Sequence, residues 1–269
     1  MIDDEFRPFY VERVLCVEPS GWELPFWLKR ESYSVLTVHT DFPVFAFCRG
    51  FVSNNKHRLS EKEWAFAPFP PDAVDDPARG APFSAPRMAW IHACRAHVEQ
   101  MENEDRRSLF LWVVDRVLAY WSHMAGAAEV LPTSALVRRY AEEANARVTN
   151  NRKLNAVLLG DPRTLAPLLP AEAVLFTLLE SGSKPAASPW VARFLAPESR
   201  SVPPLRTLPQ MAPLLPALSA VPLWCAHVSG SPRTAARVEK EFVSHRKHTR
   251  HLTLYPAENG EGNYLVLGW

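Results

Sequence analysis

The chain has no CxxC pair; its four cysteines, Cys16, Cys48, Cys94 and Cys225, stand far apart. That spacing disfavours a zinc site and a disulfide scaffold, and it fits reduced, buried thiols. Cys48 and Cys225 fall in apolar runs, where a thiol is inert. The GxxxxGK(S/T) phosphate loop is missing, and no GxGxxG follows a strand. Nucleoside triphosphate and dinucleotide readings therefore lose their main support. GxSxG and HExxH are missing too. No run of about 18 uncharged apolar residues exists, so no membrane span is expected. The opening MIDDEFRPFY lacks the basic-then-apolar pattern of a signal peptide, and a cytoplasmic protein is expected. Charge of one sign is also lacking: the net charge is +1, so contact with nucleic acid needs a local basic patch. No metal and no resident cofactor are expected, and the chain is expected to be a monomer.

What is present is apolar residues, proline and tryptophan. Hydrophobic residues make up 47%, enough for a sizeable core. Twenty-five prolines cluster in 68–86 and 185–222, marking long irregular segments. Nine tryptophans serve a core or line an aromatic pocket.

Strand and helix patterns alternate. SVLTVHT (34–40) is β-branched and stops at Asp41 and Pro43. LNAVLLG (154–160) and VPLWCAH (221–227) read as further strands, and VERVLCVE as a short one. SLFLWVVDRVLAYWSHM (108–124) reads as a buried strand over about 109–114 followed by a helix, while alternation continues through VFAFCRGFV (44–52). The segments 84–107 and 133–148 have helical spacing. HLTLYP and NYLVLGW form a closing pair around Asn259–Gly260. The expectation is a three-layer αβα fold with a mainly parallel, four-stranded central sheet. A single domain is expected over 1–269, with Pro-rich insertions at about 53–86 and 183–220.

Several residues are placed for chemistry. Asp41 follows a buried strand beside Phe42, Phe45 and Phe47, whose rings would desolvate its carboxylate; the alternative is a turn-forming Asp before proline. His227 ends a strand ahead of a small polar loop, as a donor to a developing oxyanion or as a satisfied strand-end histidine. Ser229, Gly230, Ser231 and Arg233 could grip an anion at a helix start. HRKHTRH (245–251), with His245, Arg246, Lys247 and Arg250, makes a basic strip beside Arg233 and Arg237, fit for a phosphate backbone or for a solvated helix end. LLGDPRT (158–164) reads as strand, turn and helix start, with Asp161 as N-cap before Pro162.

The order of HTDFP (39–43), LNAVLLG and HVSGSPR (227–233) resembles the uracil-DNA glycosylase superfamily, over roughly 33–245. That family has an acidic, proline-containing loop after its first core strand and a His-Pro-Ser-type loop after its last. The match departs at Val228, where the family has proline, and in the glycine-rich first motif, where His39 and Thr40 stand. The resemblance implies hydrolysis of the N-glycosidic bond of a uracil or modified pyrimidine flipped out of DNA, leaving an abasic site, in repair or in antiviral defence. Flipping costs a few kcal/mol. Asp41 would then stabilise the sugar cation or orient water, and His227 would stabilise the departing base. Phe42, Phe45 and Phe47 would contact the base, with Asp115 the nearest polar candidate for recognising it. The basic strip and the Ser229–Arg233 loop would hold DNA. Two other readings remain open: a nucleic-acid-binding module without catalysis, and an α/β enzyme acting on a small phosphorylated nucleotide.

Overall fold

A computed structural model describes residues 6–70, 83–124, 131–179, 191, 205–258 and 261–269. In chain order the main elements are β1 (Arg13–Val17), α1 (Glu23–Arg30), β2 (Ser34–His39) and α2 (Phe42–Cys48). Then come α3 (Ala85–Gln100), α4 (Glu104–His123), α5 (Thr133–Arg147), β3 (Ala156–Leu159) and β4 (Ala173–Leu179). The chain closes with β5 (Leu223–Gly230), α6 (Pro232–Val243), β6 (Thr249–Glu258) and β7 (Glu261–Gly268).

Contacts divide the chain into two compact units. Unit 1 comprises Met1–Cys48, Asn151–Ala186 and Ser201–Trp269; unit 2 comprises Arg49–Asn150 and Ala187–Arg200. The excursion expected at 53–86 falls within the longer stretch between β2 and β3 that supplies most of unit 2. Most of the 183–220 insertion lies outside the described residues.

Unit 1 is built on a seven-stranded sheet in the order β3-β2-β1-β4-β5-β7-β6. The first five strands are parallel; β7 runs antiparallel to β5, and β6 antiparallel to β7. The α/β class and the mainly parallel sheet agree with the sequence pattern, but four strands is too few. The expected strand at 109–114 belongs to α4, and β1, β4, β6 and β7 complete the sheet.

The error at 109–114 has a clear cause. A continuous apolar run has no period and cannot separate a buried strand from a buried helix. Here the Asn103 side chain accepts from the Arg106 N–H at 3.0 Å and Glu104 and Asp105 fill the first turn, so a 20-residue helix starts before the run. The 44–52 segment is helical as well.

β2 is buried at every position, as a central parallel strand covered on both faces should be. One face of the sheet carries Leu15, Val17, Leu36, Val38, Val174, Phe176, Trp224 and Ala226, packed against Val238 and Phe242 of α6 and Leu214 and Leu215. Side chains alternate along a strand, so Thr37, His39, Thr177 and His227 point to the opposite face. There α1 and α2 pack on β2.

Unit 2 is helical. α4 buries Leu109 to Val114 without a break. The Asn145 side chain of α5 pairs with both backbone groups of Leu59, at 2.7 and 2.9 Å.

Candidate functional site

From β1 the chain steps to β2 and β3 on one side of the sheet, then returns to β4 and β5 on the other. At such a reversal the connections leave in opposite directions, and a crevice opens beyond the carboxyl ends of the strands. Here that crevice lies between β1 and β4, beside the end of β2. The residues that come next in sequence are Glu18 after β1, and Thr40 and Asp41 after β2.

Glu18 has left-handed backbone, φ 48°, which turns the chain sharply off β1. Its N–H donates to the Val38 carbonyl at 3.0 Å. Its carboxylate is buried and accepts from Thr40 N–H at 3.0 Å and Thr40 Oγ1 at 2.5 Å. Burial raises its pKa, opposed by the Thr40 bonds and the nearby Arg206 charge.

Asp41 caps α2: the Phe45 N–H donates to its carbonyl and the Val44 N–H to its side chain. Arg206 Nη2 donates to Asp41 Oδ2 at 3.1 Å. Burial pushes the Asp41 pKa up, and Arg206 pulls against that shift. Arg206 comes from the segment after β4. Its N–H and that of Thr207 both donate to Gln210 Oε1, at 3.1 and 3.0 Å, which pins its backbone. Its side chain is 9% exposed, and among the described residues Nε and Nη1 have no partner. Each unmade bond of this kind costs about 1–3 kcal/mol.

His39 completes the cluster. It is fully buried, with Nε2 2.9 Å from Thr37 Oγ1. Burial, helped by Arg206, pulls its pKa down to about 3, so the ring is neutral. Beside Asp41, the half-exposed rings of Phe42 and Phe45 lie 6.0 Å apart, while Phe47 is buried.

No family model matches the chain, and no curated protein matches it.

The structure does not bring Asp41 and His227 together. Asp41 follows the second strand, and His227 lies within the fifth, with β1 and β4 between them; three strand steps amount to about 14 Å. His227 sits opposite Thr177, three residues before β5 ends. It is hydrogen-bonded to the Asn263 side chain, and burial lowers its pKa. Ser229 and Gly230 extend β5 and pair with Asn263 and Gly262 of β7, so they do not form a loop. Ser231 caps α6, its side chain accepting from Thr234 N–H at 3.4 Å. Asp115 is buried on α4, in unit 2.

The basic strip is also divided. Arg246 turns inward, its guanidinium 3.9 Å above the Trp224 ring. It donates to the carbonyls of Ser219, Leu218 and Val221 at 3.3, 3.3 and 2.5 Å. His251 pairs with Glu239 at 2.8 Å, and His245 lies 3.8 Å from Glu241. Arg233, Arg237, Lys247 and Arg250 remain on the surface. Asp161 is the N-cap of the turn after β3, as its sequence context indicates, accepting from Arg163 N–H at 2.9 Å.

Glu18 and Arg206 are not among the sequence candidates, and His39 and Thr40 stand there only as departures from the glycine-rich motif. Glu18 had a signal: an apolar strand, an acid, then Pro-Ser-Gly, which is how a strand delivers a carboxylate to a turn. Arg206 had none. It is 165 residues from Asp41, in a Pro-rich stretch.

Unit 2 holds a separate groove of about 500 Å³, lined by Trp64, Phe69, Pro132, Ala135 and Arg138 among others. Arg138 lies 5.9 Å from the centre of the Trp64 ring.

Proposed function

We propose that unit 1 binds an adenosine-type ligand at the carboxyl edge of β1 and β2, and that the protein is a group-transfer enzyme using it. The observation that carries this is the pairing of Glu18 and Asp41 at the reversal of a doubly wound sheet. In such sheets an acid about 20 residues beyond the first turn takes the ribose hydroxyls, and Asp41 stands that far beyond Gly21. A carboxylate has about four acceptor positions; Val44 and Arg206 leave room for a ribose diol. The half-exposed Phe42 and Phe45 rings beside Asp41 give a base an aromatic surface.

A diphosphate fits this turn poorly. Besides Gly21, the turn lacks the glycines that let backbone N–H groups approach phosphate. Glu23 opens α1, and its carboxylate folds over Gly21: a Cβ there would stand 2.3 Å from Glu23 Oε2. Glu18 adds a second carboxylate. Two acids at this point disfavour phosphate and favour a cation. S-adenosylmethionine combines the ribose diol with a sulfonium and no phosphate, and when bound it supplies an electrophilic methyl group. Asp41 would hold its ribose, Phe42 and Phe45 its base, and Glu18 and Glu23 would complement its positive charge.

This reading stands closest to a small-nucleotide enzyme. Base excision would need Asp41 and His227 to act on one nucleotide, and the separation of β2 from β5 argues against it. Calorimetric titration of the full chain with S-adenosylmethionine, NAD and ATP, beside an abasic-site assay on DNA containing uracil or modified pyrimidines, separates the readings. Saturable binding of S-adenosylmethionine alone is expected. Abasic sites that disappear in both Asp41→Asn and His227→Ala would overturn it.

A further inference from the structure

We infer that Arg206 is the anion-binding residue of this site, so that the selected ligand carries a carboxylate on the chain attached to its nucleoside. The inference rests on the nucleoside reading above and deepens it. A guanidinium offers five N–H donors in a fixed fork. Arg206 spends only Nη2 on Asp41; Nε and Nη1 are buried and, among the described residues, without a partner. Its side chain is more than nine-tenths buried.

A purely structural arginine in this same unit looks different. Arg246 also leaves Nε without a partner among the described residues, but it places both terminal nitrogens on backbone carbonyls and its plane on Trp224. Among the described residues Arg206 has one carboxylate and no carbonyl partner, yet its backbone is fixed through Gln210. It is therefore a positioned cation with unused donors beside a ribose-binding acid. Carboxylate and phosphate oxygens are the acceptors whose charge and geometry match such donors. The sulfonium favoured by Glu18 and Glu23 and an anion on Arg206 are compatible on one zwitterionic ligand, such as the amino-acid end of an adenosyl sulfonium.

The test titrates the full chain and its Arg206→Gln and Arg206→Lys variants with three ligands. They are 5′-methylthioadenosine (no anion), S-adenosylhomocysteine (carboxylate) and adenosine monophosphate (phosphate). In the wild type S-adenosylhomocysteine should bind about tenfold or more tighter than methylthioadenosine; a lead by adenosine monophosphate instead overturns the carboxylate assignment. Arg206→Gln should abolish that advantage, read as the ratio of the two affinities within the same variant, and Arg206→Lys should keep part of it. Circular dichroism confirms that the variants fold. Equal affinities in the wild type, or an advantage that survives in Arg206→Gln, overturn the role of Arg206 and leave the nucleoside reading standing. Failure of methylthioadenosine to bind at all overturns both.

Discussion

Arg206 reaches Asp41 across 165 residues of chain and bonds it at 3.1 Å, beyond the carboxyl end of β2. The pair sits where the doubly wound sheet reverses direction, with the Glu18 carboxylate close enough for its charge to be felt. An acid at a strand end is a common turn-former. Here the acid is paired to a buried arginine whose Nε and Nη1 have no partner among the described residues.

Arg246 ties the end of α6 to the start of β5 through the Leu218, Ser219 and Val221 carbonyls and the Trp224 ring. Arg246→Ala should destabilise unit 1 by about 2–3 kcal/mol, from a desolvated cation–π contact and lost bonds to carbonyls. Lys247→Ala, on the exposed side of the same run, should change stability by less than about 0.5 kcal/mol. Urea denaturation of the two variants measures both effects. Equal, small losses would return Arg246 to the surface.

His39 makes stability sensitive to acid. Its folded pKa, about 3, lies below the unfolded value of 6.5. The unfolded chain therefore binds the proton first, and stability falls as pH drops from 6.5 towards 3. His39→Asn, which cannot take up that proton, should show a flatter dependence of Tm on pH over this window. An unchanged slope would mean that the ring is already solvated.

His227 should be dispensable for ligand binding. It belongs to the β5–β7 ladder and bonds Asn263. His227→Ala should lower Tm yet leave the affinity for methylthioadenosine within about twofold, since mutations without shared partners act independently. A loss of about tenfold or more would bring His227 back to the site.

Much of unit 1 was legible in the sequence because its strands are apolar, β-branched and sharply bounded. SVLTVH, AVLL and the run leading into LWCAH are of this kind, and α5 shows its period openly. The order of the strands was not legible, because nothing in a strand's own residues says which neighbour it pairs with. That mattered most at Asp41: a loop taken to follow the first core strand follows the second, and His227 moved with it to the far side of two other strands. The long apolar stretch in α4 hid a helix, since burial on every side erases the period. Asp41 and its aromatic neighbours could be found from the strand that delivers them. Arg206 could not, because tertiary contact alone gives it meaning.

The central claim is that Asp41 takes a ribose, and a ligand pair tests it most directly. The affinities of 5′-methylthioadenosine and its 2′,3′-dideoxy counterpart are measured by calorimetry on the wild type and on Asp41→Asn, which keeps an acceptor for Arg206. The wild type should prefer the ribose by about 1.5–3 kcal/mol, the value of hydrogen bonds to a charged group, or roughly ten- to a hundredfold in Kd. Asp41→Asn should shrink that preference several-fold while binding the dideoxy ligand as the wild type does. A preference that is the same in both proteins would contradict the account.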